Sequence, residues 1–158
     1  MRLDVGIGEF GVSARLEDEI KTYALGSCVA VIAYDQERHV AGLIHIALPE
    51  AKVNLDKAKK RPGYFADSGL PIFLQALEKQ GANRRKLKIK LAGGASIMDE
   101  NRQFDIGRRN MIAIKRFLWK VGLGVLREDV GGTISRTVRI EVKTGEVTIS
   151  NAKSVWSL

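Results

Sequence analysis

Apolar residues recur along this chain with two different periods. Leu70, Phe73, Leu74 and Leu77 fall at i, i+3, i+4 and i+7, the single stripe of an amphipathic helix. Asp67 or Ser68 is placed to cap its start, Pro71 to sit in its first turn, and Gly81 to end it. Met111, Ile114, Leu118 and Val121 make a second stripe, with Asp105 near its start and Gly122 just past its end. Arg108, Arg109, Lys115, Arg116 and Lys120 fall on the wet side of that helix.

Elsewhere the period is two. Val138, Ile140 and Val142 alternate with Thr137, Arg139 and Glu141, and Thr144-Gly145 turns the chain back into Val147 and Ile149. This is a hairpin with one face on a core. Leu87, Ile89 and Leu91 alternate with lysines and run into Ala92-Gly93-Gly94-Ala95-Ser96, where a bulge or a close approach accounts for the glycines. Residues 28–34 and 40–48 are almost continuously apolar, the pattern of strands covered on both faces. Strands and helices together predict a layered α/β or α+β domain spanning residues 1–158 as a single unit. Residues 49–66 are irregular, polar and basic, the composition of a lid or binding loop, with room for a short helical turn over 54–60.

Bulk composition adds limits. The 158 residues are 45% apolar and 28% charged, so folding needs no disulfide or metal staple. Cys28 is the single cysteine, which excludes an intrachain disulfide and favours a reducing compartment, the cytoplasm. Charges and glycines interrupt the first residues, so no signal-peptide core is expected there, and no apolar run suits membrane insertion. The net charge of +8 gathers at Lys57–Arg61, Arg84–Lys90 and Arg108–Arg109. Such a surface attracts nucleic acid, anionic lipid or an acidic protein, or simply keeps the chain solvated. Aromatic residues are 6% of the chain, too few for an obvious base-stacking platform, which argues against nucleic acid.

The chemistry gathers on the first hairpin. With Asp35–Arg38 as a four-residue turn, Tyr34 pairs with His39 and Cys28 lies directly opposite His45, on one face. A register shifted by two in pair sum leaves Cys28 and His45 diagonal on that face; a shift of one separates them. So placed, the imidazole takes the thiol proton and holds the thiolate as an ion pair that attacks a carbonyl. Gly26-Ser27 frees the backbone before the nucleophile, so N–H groups there are candidates for an oxyanion hole. Against this, a lone cysteine is most often an inert core residue, and a lone strand histidine a core one. His39, among charged turn residues, reads as merely solvated.

Longer motifs decide between these readings. Thr22-Tyr-Ala-Leu-Gly-Ser-Cys28-Val and Gly42-Leu-Ile-His45-Ile-Ala-Leu-Pro49 resemble the nucleophile and histidine segments of the bacterial chemoreceptor glutamine deamidases, the CheD family. Arg61-Pro-Gly63, Ala66-Asp67, Ala92–Ser96, Asp105–Asn110 and Glu128–Gly132 are similar to further family segments, in the same order. Phe65 and Ser135 depart from it, standing where the family usually has Tyr and Gly. The resemblance implies a layered α-β sandwich with mixed or antiparallel sheets and two main helices. It also implies a catalytic Cys28, His45 and Thr22, with Thr22 holding the imidazole in its working tautomer. The implied reaction converts glutamine side chains of methyl-accepting chemotaxis receptors to glutamate through a cysteine thioester, with no metal or cofactor. The implied partners are those receptors and a CheC-type phosphatase. A non-catalytic adaptor of receptors or phosphatase is the competing reading, and intact Cys28, His45 and Thr22 argue against it.

Overall fold

Val29–Asp35 and Val40–Ile46 are buried along their whole length, and the reason is a three-layer arrangement in which they lie in the middle. The computed structural model describes residues 1–97 and 105–158. Along the chain come β1 (Arg2–Val5), β2 (Phe10–Ser13), β3 (Glu19–Leu25), β4 (Val29–Asp35) and β5 (Val40–Ile46). Then follow α1 (Leu55–Lys60), α2 (Ala66–Lys79), β6 (Lys88–Gly93), α3 (Ile106–Lys120) and β7 (Val125–Val130). The chain closes with β8 (Arg136–Glu141), β9 (Val147–Ser150) and β10 (Val155–Ser157).

These strands form two five-stranded sheets, β1-β3-β8-β9-β10 and β2-β5-β4-β6-β7. Each is mixed: β1 runs parallel to β3 and β6 parallel to β7, while the other pairs are antiparallel. Ile20, Leu25, Val138 and Ile140 of the first sheet pack against Ala30, Ile32 and Leu43 of the second. On its other face the second sheet presents Val31, Ile44 and Ile46 to Leu70, Phe73 and Leu74 of α2 and Ile114 of α3. The expected α-β sandwich is what the chain forms. Both amphipathic stripes face inward, and Gly81 and Gly122 follow the helices with positive φ, the conformation that glycine adopts without strain.

Several local expectations are corrected. The first hairpin pairs Asp35 with Val40 and Ala30 with His45, so its loop is Gln36–His39 rather than Asp35–Arg38. Asp35 is the cause: its Oδ1 accepts the N–H groups of Glu37 and Arg38, each at 3.1 Å, while Oδ2 accepts that of Asn83 at 2.7 Å. This carboxylate organises the turn from inside the strand. Helix α2 begins at Ala66 without a side-chain cap, and Pro71 lies beyond its first turn. Asp67 instead accepts the N–H of Ala51 (2.8 Å), and Ser68 donates to the carbonyl of Pro62 (2.6 Å). Both side chains thereby pin the 49–66 segment, where the helical turn allowed for over 54–60 forms as α1 between 3-10 turns at Ala51–Val53 and Pro62–Tyr64, in place of an irregular loop.

Candidate active site

Cys28 ends the loop between β3 and β4, and its side chain packs toward the core between the sheets. His45 lies on β5 with its side chain on the same face, since its partner Ala30 belongs to that core. The observed register makes Cys28 and His45 diagonal neighbours, not directly opposed ones. Diagonal positions stand about 7–8 Å apart, still within reach of long side chains. Thr22 approaches from the facing sheet. Its alternation along β3 is reset by a bulge at Tyr23 and Ala24, where Ala24 takes a left-handed φ of 52°, so that Ile20, Thr22 and Leu25 all point inward.

The hydrogen bonds fix a protonation state. Thr22 Oγ1 lies 2.7 Å from the Val5 carbonyl and 2.7 Å from His45 Nδ1. A carbonyl only accepts, so the single hydroxyl proton goes to Val5, and Oγ1 must accept a proton from Nδ1. Nδ1 is therefore protonated and Nε2 carries the lone pair. Nε2 is buried and has no hydrogen-bond partner among the described residues, a basic atom left open. The backbone of His45 is held as well, its N–H to the Glu9 carbonyl at 3.1 Å and its carbonyl by Gly8 N–H at 2.9 Å.

The electrostatics differ from the expected ion pair. Burial lowers the His45 imidazole from 6.5 to about 4, because charging the ring would strip it of water. Burial also pushes the Cys28 thiol above its ordinary value, opposed in part by the residue's own backbone N–H. Both shifts favour the neutral forms, a thiol at Cys28 and an uncharged imidazole at His45, over the expected thiolate–imidazolium pair.

Thr22→Val keeps the volume but removes the hydroxyl that accepts the buried Nδ1 proton and donates to the Val5 carbonyl. Unsatisfied buried groups cost about 1–3 kcal/mol, so this variant is expected to melt several degrees lower. Its kcat should also fall, because nothing then selects the tautomer. Calorimetry with a rate assay checks both, and an unchanged Tm removes Thr22 from the network.

Gly26 and Ser27 immediately precede Cys28, and their carbonyls are engaged. Gly26 accepts the N–H of Ala95 at 2.9 Å, and Ser27 accepts Nδ2 of Asn110 at 3.1 Å. Gly93 is a close approach rather than a bulge: with φ of 111°, any Cβ there would strike the Cys28 carbonyl. His39 lies at the far end of the hairpin with Nδ1 3.1 Å from the Lys143 carbonyl, away from this cluster. Sequence reasoning overlooked Asn110. Its signal is a polar residue on the buried stripe of α3, where Gly107, Met111 and Ile114 face inward.

A family model described as CheD chemotactic sensory transduction matches residues 47–151. The probable chemoreceptor glutamine deamidase CheD of Syntrophotalea carbinolica is 49% identical over 150 residues, 94% of this chain and 93% of that one. The chain belongs to the CheD family. The probable chemoreceptor glutamine deamidase CheD of Methanococcus vannielii is 44% identical over 159 residues, the whole of both chains. That of Syntrophus aciditrophicus, CheD 1, is 43% identical over 148 residues, 94% of this chain and 92% of its own. The family match begins at Ala47, after Thr22, Cys28 and His45. The overlap with Methanococcus vannielii CheD takes in all three.

Proposed function

We propose that this protein hydrolyses specific glutamine side chains of methyl-accepting chemotaxis receptors to glutamate, with Cys28 as nucleophile, His45 as base and Thr22 as its orienting group. The observation that carries the proposal is the Val5–Thr22–His45 hydrogen-bond chain, which leaves Nε2 unprotonated on the face that also bears Cys28. The names of the relatives supply the substrate class.

In this reading Nε2 takes the thiol proton as Sγ bonds to the carboxamide carbon. The carbonyl oxygen gains negative charge. Its collapse breaks the C–N bond, and the imidazolium returns the proton to the departing nitrogen, which leaves as ammonia. Nε2 then deprotonates a water that attacks the thioester; the C–S bond breaks, glutamate forms, and the thiol is regenerated. Thr22 acts throughout as the third group that keeps the base in one tautomer. The proposed place of action is the cytoplasm, and a CheC-type phosphatase is the proposed second partner. Intact-mass analysis of a receptor cytoplasmic fragment tests the reaction. Each conversion of amide to acid adds about one dalton, the mark of acyl transfer to water, and an unchanged mass overturns it.

The basic segment beside the site has a role in encounter. Lys59 and Lys60 of α1 are exposed, whereas Arg61 donates to the Ile7 carbonyl at 2.6 Å and so ties the segment to the loop that holds His45. Reversing Lys59 and Lys60 to Glu is expected to lower kcat/KM on an acidic receptor fragment by roughly tenfold at low salt. The loss should shrink as ionic strength rises and the screening length shortens. Identical kinetics at low salt would show a merely solvated helix.

A further inference from the structure

Asn110 of α3 is fully buried, yet it lies outside the Cys28–His45–Thr22 group. Its Nδ2 donates to two carbonyls, Ser27 at 3.1 Å and Ala47 at 3.0 Å. One acceptor immediately precedes the nucleophile, and the other lies two residues after the base. A single amide therefore clamps the Cys28 loop to the end of the His45 strand. It does so at a cost, because Asn110 Oδ1 is buried without a partner among the described residues. A buried polar group retained with half its bonding capacity unmet has been placed for its other half.

The geometry says what that half sets. In a trans peptide the C=O and N–H point in opposite directions. Asn110 comes from the helical layer, on the opposite face of the second sheet from the core that Cys28 packs against. With the Ser27 carbonyl drawn toward the helices, the Cys28 N–H is turned to the side of Sγ. The flanking peptides are fixed alike, Gly26 by Ala95 N–H and Cys28 by Gly94 N–H, each at 2.9 Å. Those two bonds are backbone to backbone, so among the described residues Asn110 supplies the side-chain contact of the set.

We infer that Asn110 is a positioning residue that orients the Ser27–Cys28 peptide so that the Cys28 N–H forms the oxyanion hole of the deamidation site. The oxygen of the attacked carboxamide receives that hydrogen bond as it becomes negative. This places the donor at Cys28, one residue beyond the Gly26-Ser27 pair suggested by the sequence. The Cys28 N–H also offsets part of the burial penalty on its own thiolate, as a group on the Sγ side would.

The inference rests on the proposed deamidase reading, and its test separates the two. Asn110→Ala is expected to lower kcat about 100-fold, the scale of losing one oxyanion donor, with KM little changed. Alkylation of Cys28 by iodoacetamide develops no oxyanion and should stay within about twofold of wild type. Asn110→Asp preserves the volume should the alanine variant fold poorly. Its protonated carboxyl can donate and its carboxylate cannot, so its rate relative to wild type should rise as pH falls. A kcat within threefold of wild type, or alkylation falling in step with turnover, overturns the positioning role. A wild-type protein that leaves receptor glutamines unchanged overturns the deamidase reading instead. The Ser27–Cys28 peptide in Asn110→Ala crystals still decides for Asn110: rotated supports it, unmoved refutes it.

Discussion

Cys28→Ala is expected to eliminate receptor deamidation while leaving the fold intact. The residue is half-buried at the end of a loop whose carbonyls are held by Gly94, Ala95 and Asn110, and none of those bonds uses the sulfur. Removing one sulfur atom there should change stability by no more than about 1 kcal/mol. The chemical loss should be complete, because Cys28 is the only thiol in the chain. Intact-mass assays on the receptor fragment, with a thermal melt as control, give the result directly. Activity above a tenth of wild type in a folded variant sinks the nucleophile assignment. A fully inactive variant that still binds the fragment also disposes of the adaptor reading.

His45→Gln has the next largest effect, and it has two parts. Without a base, kcat should fall about 10²- to 10⁴-fold. The second part concerns acid stability. The folded imidazole titrates at about 4 and the unfolded one near 6.5, so the unfolded chain binds the proton first. Stability is therefore fully present above about pH 6.5 and is lost as pH falls toward 4, by about 3 kcal/mol in all. The glutamine variant carries no proton to gain, so its Tm should decline less between pH 7 and pH 4.5. The same burial keeps wild-type His45 neutral, and thus a competent base, well below pH 6. An acid limb of kcat/KM at 6.5 would show an ordinary, solvated histidine.

How far the residues alone foretold this site depends on where each structural decision is made. The two stripes and the doubly covered strands were legible because burial on a helix or in a central strand imposes a period that survives in sequence. The face shared by Cys28 and His45 was legible too, since a shift of two in register preserves it. The register itself was not, because the Asp35 carboxylate takes contacts from both its own turn and Asn83. Caps failed for a related reason: Asp67 and Ser68 have the right chemistry but bond to Ala51 and Pro62. Strand β3 was hidden by its bulge, which breaks the alternation between Thr22 and Leu25. Thr22 thus emerged from family resemblance and not from its pattern. Asn110 had a visible anomaly, a polar residue on an apolar stripe, but its acceptors are backbone carbonyls that no side-chain motif records.

Thr22 belongs to one sheet; His45 lies within the other, on β5, and Cys28 at its margin, just before β4. The 2.7 Å bond between Thr22 and His45 therefore crosses the boundary where the side chains of the two sheets interlock. A displacement of about 1 Å between the sheets would release the ring, and errors of that size in a catalytic group cost about a hundredfold in rate. In the proposed reaction, catalysis is in effect a vernier on the alignment of the two sheets. Heating should silence it before either sheet melts, and a single methyl gained or lost at Ile20 or Leu43 can retune the reaction without approaching the sulfur.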